Sequence, residues 1–185
     1  MLRQLTTPRA AALAGVIFAL LFGAVLVLIR IKMPEGATGA SEWLGSRGSG
    51  IAAATKLMPF AGISFLWFIG VVRDGLGRYE DKFFSSVFLG SGLLFLAMMF
   101  VSTAVAAGLV ASNGGITDPA AREATAEFGK VVVLAASKTY AVRMAAVFMM
   151  SLATIWLRTG LMPRWLVGLS YLTAVGLLVA SDLSM

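Results

Sequence analysis

The side chains best able to do chemistry in this sequence are basic, and they stand where charges are costly. Lys56, Lys138 and Arg143 interrupt long apolar blocks, and Arg30 and Lys32 follow directly on the first block. A charge at a bilayer centre costs at least ~2.5–3.5 kcal/mol on insertion scales, so such residues face a bundle interior, water or a partner. With the N-terminus on the inner side, all five fall toward the outer side. Gathered there, they would form a basic pocket for an anion such as a lipid phosphate or a carboxylate. The competing reading is snorkelling to the headgroups, or structural pairing with Glu123 and Glu127, the nearest acidic candidates. Lys138 and Arg143 are five residues apart. That is about 140° around an α-helix, so they do not share a face.

A second charged group, Arg73, Asp74, Arg78, Glu80, Asp81 and Lys82, sits in a short turn. Adjacent carboxylates would suit a metal or an acid–base pair. Three basic residues beside them favour a salt-bridged loop. The chain has no Cys and no His. That excludes disulfides, thiol nucleophiles, imidazole metal or haem ligation and Ser-His-Asp catalysis within it. The Met residues lie mostly in apolar blocks and read as packing. Neither a cofactor nor a metal is expected, and the sequence leans away from an enzyme.

The elements that position these residues follow from composition. Of 185 residues, 59% are hydrophobic and 13% charged, against roughly 45–50% and 25% in soluble domains. The excess falls in long blocks with short polar breaks, the pattern of membrane helices. We expect an all-α, polytopic transmembrane helix bundle of about five spans, forming a single transmembrane domain over residues 1–185, with spans near 10–29, 51–72, 83–111, 131–157 and 165–181. The first block is too long for the ~7–15-residue core of a signal peptide. Residues 30–50 read as a polar Gly/Ser connection. Thr117-Asp118-Pro119 reads as a helix start, an N-cap oxygen followed by proline. It opens a short amphipathic extramembrane helix before span four, with Ala121, Ala124, Phe128 and Val131 or Val132 at helical spacing and Lys130 elsewhere on its surface. Gly129 is the one candidate break before span four; without a break there, one long helix leaves the membrane and carries the amphipathic segment with it. Gly160 and Pro163 mark the turn before the last span.

The formal net charge of +6 would suit nucleic acid in a soluble protein. Here the basic residues cluster at block ends, so membrane lipids are the expected partner and nucleic acid is not. Counts of Lys and Arg on the two sides are nearly equal. The short, densely basic loops around Arg73 and Arg158 favour a cytoplasmic N-terminus in a cell membrane. Trp67, Trp156 and Trp165 sit near block ends, as interfacial belts do, and so does Trp43.

Small residues recur at four-residue spacing: Gly15, Ala19 and Gly23, then Ser86 and Gly90, then Ala104 and Gly108. Such spacing lets membrane helices approach closely. It points to a compact bundle, a homo-oligomer or a larger membrane complex. The leading functional expectation is therefore a non-catalytic integral membrane protein that packs with itself or as a subunit. The alternative is a permease, channel or binding protein for a lipid or small anion, using the basic cluster.

The stretch Arg158-Thr-Gly-Leu-Met-Pro-Arg-Trp-Leu-Val-Gly-Leu resembles a recurring segment of uncharacterised bacterial multi-pass membrane proteins of actinobacterial type. So does Phe60-Ala-Gly-Ile-Ser-Phe-Leu-Trp-Phe-Ile-Gly-Val-Val-Arg-Asp. The resemblance implies no activity or site. It implies room for a sixth helix beyond Met185.

Overall fold

In hydrocarbon every backbone N–H and C=O must be satisfied within the protein, so long apolar segments become helices. The computed structural model follows that rule. It describes residues 7–32, 40–76, 82–112, 114–160 and 162–183, and all regular structure among them is helical. The helices are α1 (Thr7–Lys32), α2 (Ala40–Leu76), α3 (Lys82–Ser112), α4 (Pro119–Leu134), a π-helical segment (Ala135–Ala141), α5 (Val142–Thr159) and α6 (Arg164–Leu183). Four are long and apolar enough to cross a membrane, over Ala12–Ile29, Ser49–Asp74, Phe83–Ser112 and the continuous rod Pro119–Thr159. This is a multi-pass membrane protein. α6 holds a shorter apolar stretch, Arg164–Val179.

One expected loop is largely helix instead. Residues 40–50 belong to α2 rather than to a polar connection. Once a span is formed, each further residue adds one hydrogen bond, which offsets the propensity cost of glycine. The amphipathic segment is not a separate helix either: α4 runs through the π segment into α5 as one rod of 41 residues. Its start is as expected, with the Asp118 carboxylate accepting from the backbone N–H groups of Ala120 at 3.3 Å and Ala121 at 3.1 Å. Gly129 does not break it. A Cβ there would lie 2.7 Å from Leu109 Cγ, so this glycine lets α4 approach α3 closely.

The expected face of α4 is also reversed. Ala121, Ala124 and Val131 are exposed, and Phe128 is 73% exposed. Ala126, Gly129 and Val133 face inward, together with Lys130, which is only 9% exposed. Between membrane helices the drive is close packing rather than exclusion of water, so small residues turn inward and large apolar ones outward.

Each helix packs on its neighbours in a chain of contacts. α1 lies along α2, α2 on α3, α3 on α4, the π segment and α5, and α5 on α6. The backbone of α1 approaches no other described helix. The main core is aromatic at its centre and includes Phe65, Phe88, Phe95 and Phe148. A smaller core of Ile51, Ala106, Leu109, Ala126 and Val133 joins α2, α3 and α4. We call the end of the bundle at the α3–α4 turn the far end and that at the α5–α6 turn the near end.

At the near end, Gly160 ends α5 with φ 67°, the left-handed region, and its N–H donates to the Trp156 carbonyl at 3.0 Å. An L side chain there costs roughly 1–2 kcal/mol. Gly160→Ala is expected to lower the stability of the bundle by about 1 kcal/mol, read by titrating SDS into detergent micelles while following circular dichroism.

Candidate functional site

The site is built around the point where the rod changes its helical pitch. In a π turn the backbone bonds join residues five apart rather than four, which widens the turn and often marks functional positions. Here the Val133 carbonyl, just before that turn, accepts from two hydroxyls: Ser137 Oγ at 2.6 Å and, across the helix interface, Ser102 Oγ of α3 at 3.2 Å. Ser102 is fully buried. Ser102→Ala should cost about 0.6 kcal/mol, the average of interhelical hydrogen bonds in a membrane protein, by the same SDS titration.

Below the π turn lies a cavity of about 310 Å³. Phe18, Phe22 and Leu26 of α1 form one wall, and Val142, Ala145, Phe148 and Met149 of α5 form the other. Phe65 of α2, with Phe95 and Met99 of α3, makes the floor, and Leu177 of α6 stands at the edge. Among the described lining residues Ser137 alone has a polar side chain, and almost none of the cavity surface is polar. The floor is held by ring contacts, with centroids 4.6 Å apart for Phe18–Phe65, 5.4 Å for Phe22–Phe95 and 5.3 Å for Phe65–Phe148. Such pairs are worth ~0.5–1.5 kcal/mol beyond their contact area, so the floor is a fixed surface. Among the described residues the backbone of α1 approaches that of α2 and not that of α6, and both α1 and α6 contribute side chains to the cavity, which is partly open.

Depth follows from helical rise. At 1.5 Å per residue Phe148 lies about 16 Å, and Ser137 about 33 Å, along the rod from Thr159. A hydrocarbon core is about 30 Å thick. The stretch of the rod that lines the cavity, from Ser137 to Phe148, thus covers about 17 Å, roughly half such a core.

The basic residues expected to form a pocket do not all meet at this cavity. Lys56 is exposed on α2. It stands nine residues before Phe65, the α2 residue in the floor, which puts it about 180° away on the opposite face. Lys138 and Arg143 are half-buried on the rod, each one position past a cavity-lining residue, Ser137 and Val142. The π turn brings positions five apart nearer to one face than an α-helix does, so their expected separation of about 140° is reduced. Each has a bonded partner in the structure. The side chains of Arg30 and Lys32 lie outside the described residues, as does that of Trp43. In the charged turn, Arg73 and Asp74 are exposed and residues 77–81 are not described.

The small-residue positions divide as well. Gly15 packs against Phe68, where a Cβ would meet the ring at 3.3 Å. Gly23, Gly90 and Gly108 have nothing within 4 Å of such a Cβ, and Ala19, Ser86 and Ala104 are exposed. The close approaches are made by Gly62, Gly92 and Gly129 instead. Between α5 and α6 the tie is polar. Thr154 Oγ1 donates to the Met150 carbonyl at 2.8 Å, which leaves it to accept from the Tyr171 hydroxyl at 2.6 Å.

Sequence reasoning missed the cavity, because its walls come from five stretches far apart in the chain. One local signal was available: Ser137-Lys138-Thr139-Tyr140 is a polar run inside an apolar block, and it coincides with the π segment. No protein family, curated protein or solved structure was found to match the chain.

Proposed function

We propose that this chain is a non-catalytic membrane protein that holds one hydrocarbon chain of a membrane lipid in the cleft between α1 and α5–α6. The observation that carries the reading is the cavity itself: lined almost wholly by apolar and aromatic side chains of the membrane-spanning helices, and partly open. Its volume is at the lower end of the ~300–1,000 Å³ typical of small-molecule sites, enough for one chain and not two. Its length along the rod, about 17 Å, is close to half the ~30 Å core, the reach of a chain within one leaflet.

We read α6 as a fifth span, since its 20 residues reach about 30 Å. The near end, with Arg73, Arg158 and Arg164, is placed in the cytoplasm. Native mass spectrometry of protein extracted in mild detergent tests the binding. Wild type is expected to retain one lipid per chain, and Ala145→Phe, which fills the cleft, to lose it. Equal retention by both proteins would remove this reading.

A second reading, self-association, is favoured by the outward side of α3. Gly90, Ala104 and Gly108 leave open space there, and small residues let a second helix approach closely. Gly108→Leu should then convert a cross-linkable dimer in membranes to monomer. A cross-linking pattern unchanged by this substitution would exclude that face.

A further inference from the structure

We infer that the chain held in the cleft is an unsaturated one, selected for its double bonds by the rings that line the cavity. This rests on the chain-binding reading above and adds the class of chain to it. Between membrane helices apolarity alone selects nothing, because the bilayer outside is as apolar as the cleft. A chain is held in preference to its neighbours only through something that the bilayer lacks. Five of the twelve described lining residues are Phe and two are Met. The rings form one connected network: Phe18 meets Phe22 and Phe65, Phe95 meets the same two, and Phe65 meets Phe148. Their interplanar angles run from 23° to 68°, so the network presents both ring faces and ring edges. A carbon–carbon double bond shares the charge pattern of a ring, with a negative face and a positive edge. It can join the network as a further member, which a saturated chain cannot do. Met99 and Met149 add thioether sulfur, which also favours a π partner.

The rest of the lining argues for hydrocarbon and against a buried headgroup. No charged side chain is among the described lining residues, and burying a charge without a partner is costly. The hydroxyl of Ser137 has one proton and donates it to the Val133 carbonyl at 2.6 Å. A phosphate or carboxylate would find no side-chain donor in this lining, so the headgroup stays outside. Double bonds occur in acyl and in prenyl chains alike, and that shared chemistry is what the rings read.

The test uses the full chain in mild detergent, read by native mass spectrometry in two arms. The first offers equimolar dilinoleoyl- and distearoyl-phosphatidylcholine, which share headgroup and chain length. The second offers a polyprenyl alcohol and its fully hydrogenated form. In one arm or both, wild type should retain the unsaturated member at least about fivefold over the saturated one, the size of effect that an aromatic contact supplies. The arm with the larger ratio names the source. Phe22→Leu with Phe95→Leu removes a pair of lining rings and should lower that ratio at least about twofold while one lipid is still retained. Phe22→Leu alone, at a half-buried position of α1, reads the same change should the double variant not fold. Wild-type ratios near one in both arms overturn the inference, and so does a ratio that these Phe variants leave unchanged. In either case, loss of lipid in Ala145→Phe would leave the chain-binding reading standing. Retention by Ala145→Phe would remove that reading by itself.

Discussion

Gly92→Leu should destabilise the bundle by about 3 kcal/mol, the upper part of the range for overpacking a tight interior. A Cβ at this position would already lie 2.8 Å from Ile69 Cδ1 and 3.0 Å from Phe148 Cδ2. Both neighbours are buried, on α2 and α5 respectively, and the Phe148 ring is held against Phe88 and Phe65, which resists its turning into the cavity. Three helices would have to separate. Gly90→Leu is the control, two residues earlier on the same helix. Nothing lies within 4 Å of its Cβ position, and the expected change is within about 0.5 kcal/mol. The two variants differ in position and not in chemistry. Unfolding both by SDS titration, with circular dichroism as the readout, measures the difference. Similar stability losses would mean that α3 does not present Gly92 to α2 and α5.

Phe148→Ala is expected to cost nearly as much, for the opposite reason. Its ring stacks on Phe88 at 4.7 Å and meets Phe65 at 5.3 Å. In water, most of such a loss would be transfer free energy. Between membrane helices that part is nearly absent, since lipid is as apolar as the core. What remains is the void: at about 24 cal/mol per Å³, roughly 100 Å³ of lost side chain gives about 2–3 kcal/mol. The void would also join the existing cavity, so the variant should retain a lipid while losing stability. Native mass spectrometry and SDS unfolding on the same preparation separate the two effects. A loss under about 1 kcal/mol would show that lipid or neighbouring side chains fill the space and that the ring is not a structural contact.

The helices were legible because hydrocarbon leaves a backbone few choices. The apolar blocks, the Asp118 cap, the Gly160–Pro163 turn and the absence of Cys and His are local properties, readable without partners. The extent of the helices was less legible. Residues 40–50 look like a loop by composition and continue α2, because helix propagation depends on what has already formed next to it.

Facing was the least legible property. In a soluble protein an apolar stripe marks the inside. Here lipid and core are equally apolar, so Phe128 turns out while Gly129 and Lys130 turn in. For the same reason the spacing of small residues named Gly90, and the close approach was made at Gly92. The basic cluster shows the limit from the other side. Lys56, Lys138 and Arg143 all interrupt apolar blocks, which the sequence shows by itself. Rotation about the helix axes then places Lys56 opposite the α2 residue in the cavity floor, and puts Lys138 and Arg143 beside lining residues rather than among them. Sequence determined that this protein is built of long apolar helices, because that depends on the chain and the bilayer alone. Only the tertiary structure decided which sides of those helices meet and that a cleft remains between them, because packing between equally apolar surfaces is settled by shape.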